Sequence, residues 1–172
     1  MIFSVNLKIL STLQNMKILL IVTGKTDAEW LQQGLEVYIK RLGFYGSFEL
    51  KVLPDIKNAK SLSSQEHKEK EADQLFQFLE GKNDILLLDE KGTGFSSQEF
   101  ARFIERKMVS GCRELIFIIG GPFGFSERII KKSNGQISLS NLTFSHQMVR
   151  LLFLEQLYRA FTIIRGEPYH HD

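Results

Sequence analysis

Three short glycine-bearing turns in this chain each follow an apolar run: TGKT at 23–26, DEKGTG at 89–94 and GGPFG at 120–124. Such turns can bring bare backbone close to a ligand, because no Cβ intervenes. At the carboxyl ends of strands they would occupy the edge where open α/β sheets bind ligands. Phosphate binding is the first chemistry to weigh. TGKT ends like a P-loop, but that motif needs a glycine five positions before Gly24, and Leu19 stands there. GGPFG has the wrong spacing for a dinucleotide fingerprint. It also lacks the acid that would hold a ribose, with Asn141 and Leu142 at about that distance. Taken singly, each turn reads more readily as a tight strand-to-helix connection than as a ligand site.

The other reactive residues are few. Cys112 lies in SGCREL, between a helix and a strand, and reads as structural rather than as a catalytic thiol. As the one cysteine it excludes an internal disulfide, and a reducing cytoplasm is the expected setting. His170, His171 and Asp172 have no second ligand cluster to join, so no metal site is expected. The formal charge of +2 permits a nucleic-acid partner without demanding one.

These residues need elements to position them. KILLIVT (17–23), FELKVL (48–53), DILLLDE (84–90), ELIFIIG (114–120) and ISLS (137–140) read as strands. Between them, residues 26–42, a stretch ending near Gly81 and another ending near Gly111 carry helical periodicity, and a helix starts near Ser126. Ser63 with Glu66, and Ser96 with Glu99, fit capping boxes at two helix starts. Strand and helix alternate, which predicts one α/β domain with a mostly parallel sheet and helices on both faces.

The last helix, 145–164, is apolar nearly all round: Met148, Val149, Leu151, Leu152, Phe153, Leu154, Leu157, Tyr158, Phe161, Ile163 and Ile164. One small domain rarely hides such a helix completely, so a homodimer through 145–164 is expected. Arg150 and Arg159 on it are open to two readings, structural partners or substrate contacts. Residues 1–15 hold one charge, Lys8, and make a poor signal peptide and too short a membrane span. They read as a poorly ordered upstream-start extension, with Met16 opening the working domain, 16–172.

The segments LLLDEKG, FIIGGPFGF, SLSNLTFSHQMVRLLFLEQLYRAF and the tail RGEPYHH, in that order, resemble the ribosomal RNA large subunit methyltransferase H family of the SPOUT superfamily. The resemblance runs from Met16 to Asp172. It implies a SPOUT-type α/β knot, a C-terminal trefoil knot that periodicity could not reveal. It implies S-adenosylmethionine as cofactor, a homodimer, and methylation of the N3 of a pseudouridine in 23S rRNA of the assembled ribosome.

Carried over by motif, the cofactor residues would be Leu88, Gly120, Gly121, Leu139, Ser140, Asn141, Leu142, Thr143 and Phe144. Leu88, Leu139, Leu142 and Phe144 would wall an adenine slot, and loop backbone would meet its polar edge. Bare backbone at Gly120 and Gly121 would approach the ligand. The imide N3 carries a proton, so a base or a positive charge would help. Arg159 and His170 are the candidates, with Tyr169 able to stack on a base and His146 a third possibility that could instead cap or pack. Lys57, Lys60, Lys68, Lys70, Arg128, Lys131 and Lys132 are available for phosphates, although such runs are often only solvated faces.

Overall fold

Alternation along the strands decides which helices lie on which face. In β1 (Lys17–Thr23), Ile18, Leu20 and Val22 enter one core, while Leu19 and Ile21 enter the other. In β4 (Glu114–Ile119), Leu115, Phe117 and Ile119 join the first core, and Ile116 and Ile118 the second. Successive strand residues point to opposite faces, so an uninterrupted apolar strand must be covered twice. Each fully buried aliphatic side chain contributes about 1.5–3 kcal/mol relative to exposure.

The computed structural model describes residues 16–57 and 59–170. Residues 1–15, on which the expectation of an upstream-start extension falls, and His171 and Asp172 of the tail lie outside the described residues. The remaining strands are β2 (Ser47–Leu53), β3 (Ile85–Gly94) and β5 (Gly135–Ser138). The order across the sheet is β2-β1-β4-β3-β5, and every pairing is parallel. The expected mostly parallel sheet is therefore wholly parallel.

On the first face lie α1 (Glu29–Leu42), α3 (Ser97–Val109) and α5 (His146–Arg165). On the second lie α2 (Ser64–Leu79) and the short α4 (Glu127–Lys132). Both capping boxes form, Ser63 with Glu66 and Ser96 with Glu99. Single hydroxyl caps start α4 at Ser126 and α5 at Ser145, and α5 stops at Gly166 with φ +67°.

The long helix α5 packs between α1 and α3. Phe153, Leu154, Leu157, Ala160 and Phe161 are buried within the chain itself. Met148, Leu151, Leu152, Ile163 and Ile164 keep partial exposure. Leu151, Ile163 and Ile164 still pack against the domain's own core, and a half-covered stripe through Met148 and Leu152 remains.

β3 runs longer than its apolar run suggests. Its register against β5 shifts: Leu88 and Thr93 both face Ile137, so residues 89–92 bulge out between them. Gly92 is what lets the bulge close. A Cβ there would lie 2.5 Å from the Gln136 carbonyl carbon and from the Ile137 nitrogen.

Candidate functional site

Three connections meet at the carboxyl edge of the sheet: the β3 bulge, the glycine turn after β4 and the strap 139–145 after β5. Together they enclose a cleft of about 430 Å³. Its walls include Leu88, Gly120, Gly121, Leu139, Ser140, Leu142, Thr143 and Phe144. Eight of the nine residues expected at a cofactor site thus share one concavity. Asn141 is exposed and is not among the lining residues.

The strap is held by short-range bonds. The Ser138 hydroxyl donates to the Ser140 carbonyl at 2.8 Å, and the Leu142 amide donates to the Ser140 hydroxyl at 2.9 Å. One bond crosses the mouth of the cleft: the Thr143 hydroxyl donates to the Glu90 carboxylate at 3.0 Å. Leu142 is 72% exposed and Phe144 38%. Large apolar side chains left open beside a concavity are the usual sign of a ligand surface. Asp89, Glu90, Lys91 and Lys68 add charge at the lining.

The glycine turn has different neighbours from those its sequence suggests. A Cβ on Gly121 would overlap Glu71 Oε1, and one on Gly120 would lie 3.1 Å from the Phe125 ring. The Gly121 amide donates to Glu71 at 3.1 Å. Both glycines line the cleft, yet each is required to be small by protein packed against it.

Of the histidines, His146 lines the cleft, in the first turn of α5. Burial and the Arg150 charge lower its pKa, with Asp27 and Asp55 opposing, which favours the neutral ring. Arg150 itself is fully buried. It donates to the carbonyls of Thr23 and Gly24 and to the Thr26 hydroxyl at 2.6, 2.9 and 2.9 Å. It clamps the TGKT turn, which supports the structural reading, with oxygen acceptors in place of a carboxylate.

Arg159, Tyr169 and His170 are brought together, but at the far end of α5. Glu155 accepts from Arg159 Nε and Nη2 at 3.1 and 2.7 Å, and from the Tyr169 hydroxyl at 3.1 Å. The Arg159 guanidinium covers the Tyr169 ring, 4.8 Å from its centroid, and stands 3.4 Å from His170 Nδ1. Tyr169 also packs edge-on against Tyr158, and Glu167 pairs with the Tyr45 hydroxyl. The tail through His170 is docked rather than frayed. Arg159 lies ten positions along α5 from Val149, which also lines the cleft, a rise of about 15 Å. The sequence motifs do not single out Glu155, which joins Arg159 to Tyr169. Its spacing one turn before Arg159 was the available signal.

Among the described residues no group of three or more His, Cys, Asp or Glu could hold a metal, and no helix is long and apolar enough to cross a membrane. Of the candidate phosphate-binding cations, Arg128 is paired with Glu69 and Asp73, and Lys131 with Glu127.

A parallel sheet with this order, and a cleft built from the connections after β3, β4 and β5, accord with the family that the sequence matches. The profile described as "Predicted SPOUT methyltransferase" covers residues 16–170. The chain belongs to the SPOUT methyltransferase family and is a methyltransferase. Among its relatives, a Flavobacterium johnsoniae protein named "Ribosomal RNA large subunit methyltransferase H" is 54% identical over 157 residues, 91% of this chain and 100% of that one. A Parabacteroides distasonis protein of the same name is 50% identical over the same shares. A probable methyltransferase from Bordetella pertussis Tohama I shares the fold at 12% identity, with a TM-score of 0.57 over 89% of this chain and 98% of that one.

Proposed function

We propose that this chain methylates the N3 of a pseudouridine in 23S rRNA, using S-adenosylmethionine and acting as a homodimer on the assembled ribosome in the cytoplasm. The observation that carries this reading is the cleft, because eight family-motif residues from three separate segments converge on it. Its chemistry fits the cofactor. Leu88, Leu139, Leu142 and Phe144 offer an apolar slot for adenine, and the strap offers exposed backbone for the polar edge. No phosphate cradle is needed. The names of the relatives support an rRNA substrate.

When bound, the cofactor supplies an electrophilic methyl group on a sulfonium. The work of the chain is to hold the acceptor nitrogen in line and manage its proton. Reacting atoms must approach to about 3–3.5 Å. The Arg159–Tyr169–His170 cluster, about 15 Å along α5, therefore serves the cleft of a second protomer rather than its own. In that role His170 accepts the N3 proton, Arg159 stabilises the resulting anion, and Tyr169 holds Arg159 in place through the Glu155 they share. The half-covered stripe of α5 is the surface on which the two copies meet. Threading of the C-terminal segment as a knot belongs to the same reading.

The test is a methylation assay on ribosomes, isolated subunits and free rRNA, alongside calorimetry with S-adenosylmethionine. Binding in the micromolar range and activity on assembled particles are expected. A folded protein that binds no S-adenosylmethionine, or that acts on free rRNA and not on ribosomes, overturns the reading.

A further inference from the structure

Glu71, on the third turn of α2, is a carboxylate at 4% exposure to which no lysine or arginine among the described residues is bonded. Burying a carboxylate is costly unless it is hydrogen-bonded, so its partners indicate what it is for. It has two. One oxygen accepts the Gly121 amide at 3.1 Å. The other stands 3.3 Å from Nδ1 of His67, itself 7% exposed. Neither that oxygen nor that nitrogen has a hydrogen-bond partner among the described residues, so the two meet as a close polar contact. Asp55 is the other acidic group close enough to act on Glu71, and burial raises the Glu71 pKa against the Gly121 amide and His67.

The pair reaches the glycine turn at a second point. The His67 ring packs edge-on against Phe123, with centroids 4.9 Å apart. Gly120, Gly121 and Phe123 all line the cleft, as does Lys68, the neighbour of His67. Helix α2 therefore grips the turn from behind, once through a main-chain amide and once through an aromatic ring. An apolar side chain in place of Glu71 could fill the space but would leave the Gly121 amide unpaired.

We infer that Glu71, paired with His67, is the positioning residue that fixes the turn 120–124 and thereby sets the cofactor affinity of the cleft. This rests on the methyl-donor reading of the cleft given above. Glu71 touches no reacting atom. It acts through the main chain of Gly121.

The test uses the full chain with Glu71→Gln, Glu71→Ala and His67→Phe. Two quantities are read: the affinity for S-adenosylmethionine by calorimetry, and the Gly121 amide resonance of the free protein. Glu71→Gln retains an oxygen acceptor and should bind within about threefold of wild type. Glu71→Ala should bind about tenfold more weakly, with KM for the cofactor raised and kcat at saturation held, and with the Gly121 amide shifted and exchanging faster. His67→Phe keeps the ring contact and should lose about threefold. It also serves if Glu71→Ala does not fold. Wild-type affinity together with an unmoved Gly121 amide in Glu71→Ala, or in His67→Phe, overturns the inference. A wild type that binds no S-adenosylmethionine overturns the methyl-donor reading instead, and the Gly121 amide still decides whether Glu71 holds the turn.

Discussion

Arg150 donates to the main-chain carbonyl of Gly24 at 2.9 Å from a side chain that solvent does not reach. A residue of the last helix thereby fixes the turn after the first strand, where Gly24 has φ +78°. Arg150→Met should leave the carbonyls of Thr23 and Gly24 without their donor and cost about 2–4 kcal/mol. Urea denaturation measures this, and an unchanged midpoint would show that the clamp contributes nothing.

Gly92 and Gly94 are two residues apart and should behave oppositely. A Cβ at Gly92 meets the backbone of β5, whereas one at Gly94 meets nothing within 4 Å. Gly92→Ala should cost about 1–3 kcal/mol, because main chain cannot turn aside as a side chain can. Gly94→Ala should change stability by under about 0.5 kcal/mol. Equal losses in thermal melts would refute the bulge packing.

Separate chains should complement each other if the working site is composite. Leu142→Glu spoils the cleft wall, and His170→Ala spoils the tail, so each homodimer should be nearly inactive. Mixed in equal amounts and allowed to exchange, they should recover about a quarter of wild-type turnover, since half the dimers carry one intact composite site. No recovery, with exchange verified, would place the tail at its own cleft or outside the chemistry.

The interface has its own test. Leu152 lies on the half-covered stripe of α5. Leu152→Glu should convert the dimer to monomers in sedimentation, with secondary structure retained and turnover lost. A variant that stays dimeric removes this face of α5 from the interface.

Cys112 should be inert. Burial, with a further contribution from Asp84, pushes its thiol up to about 11. The thiolate fraction therefore stays small until pH approaches that value. Alkylation by iodoacetamide at pH 8 should run at least about a hundredfold slower than for an exposed thiol, and should accelerate as pH rises toward 11. Rapid labelling at pH 8 would contradict this environment.

Much of the fold was legible because its signals were local. ELIFII is apolar at every inner position, and β4 is the central strand, covered on both faces. Ser63 and Ser96 announce helix starts with chemistry confined to four residues. What stayed hidden depends on long-range contact. Nothing near Gly121 in the sequence points to Glu71, fifty positions earlier. The register slip lies between β3 and β5, so an apolar run ending at Leu88 could not reveal pairing that resumes at Thr93. The convergence of Leu88, Gly120 and Leu142 came from matched motifs, and the distance of Arg159 from that cleft needed the three-dimensional chain.

The pairing of Leu86 with Gly135 carries a consequence for biogenesis. β5 borders β3 only after α3, β4 and α4 have been made, and the strap follows β5. A nascent chain could stack its earlier strands while lacking one whole wall of the cleft. Long-range parallel pairing of this kind forms slowly and leaves a bare strand edge in the meantime. A small molecule seated against the strap would draw that late edge shut by mass action. Ligand supply during synthesis would then govern not only turnover but how many chains escape aggregation to reach the native state.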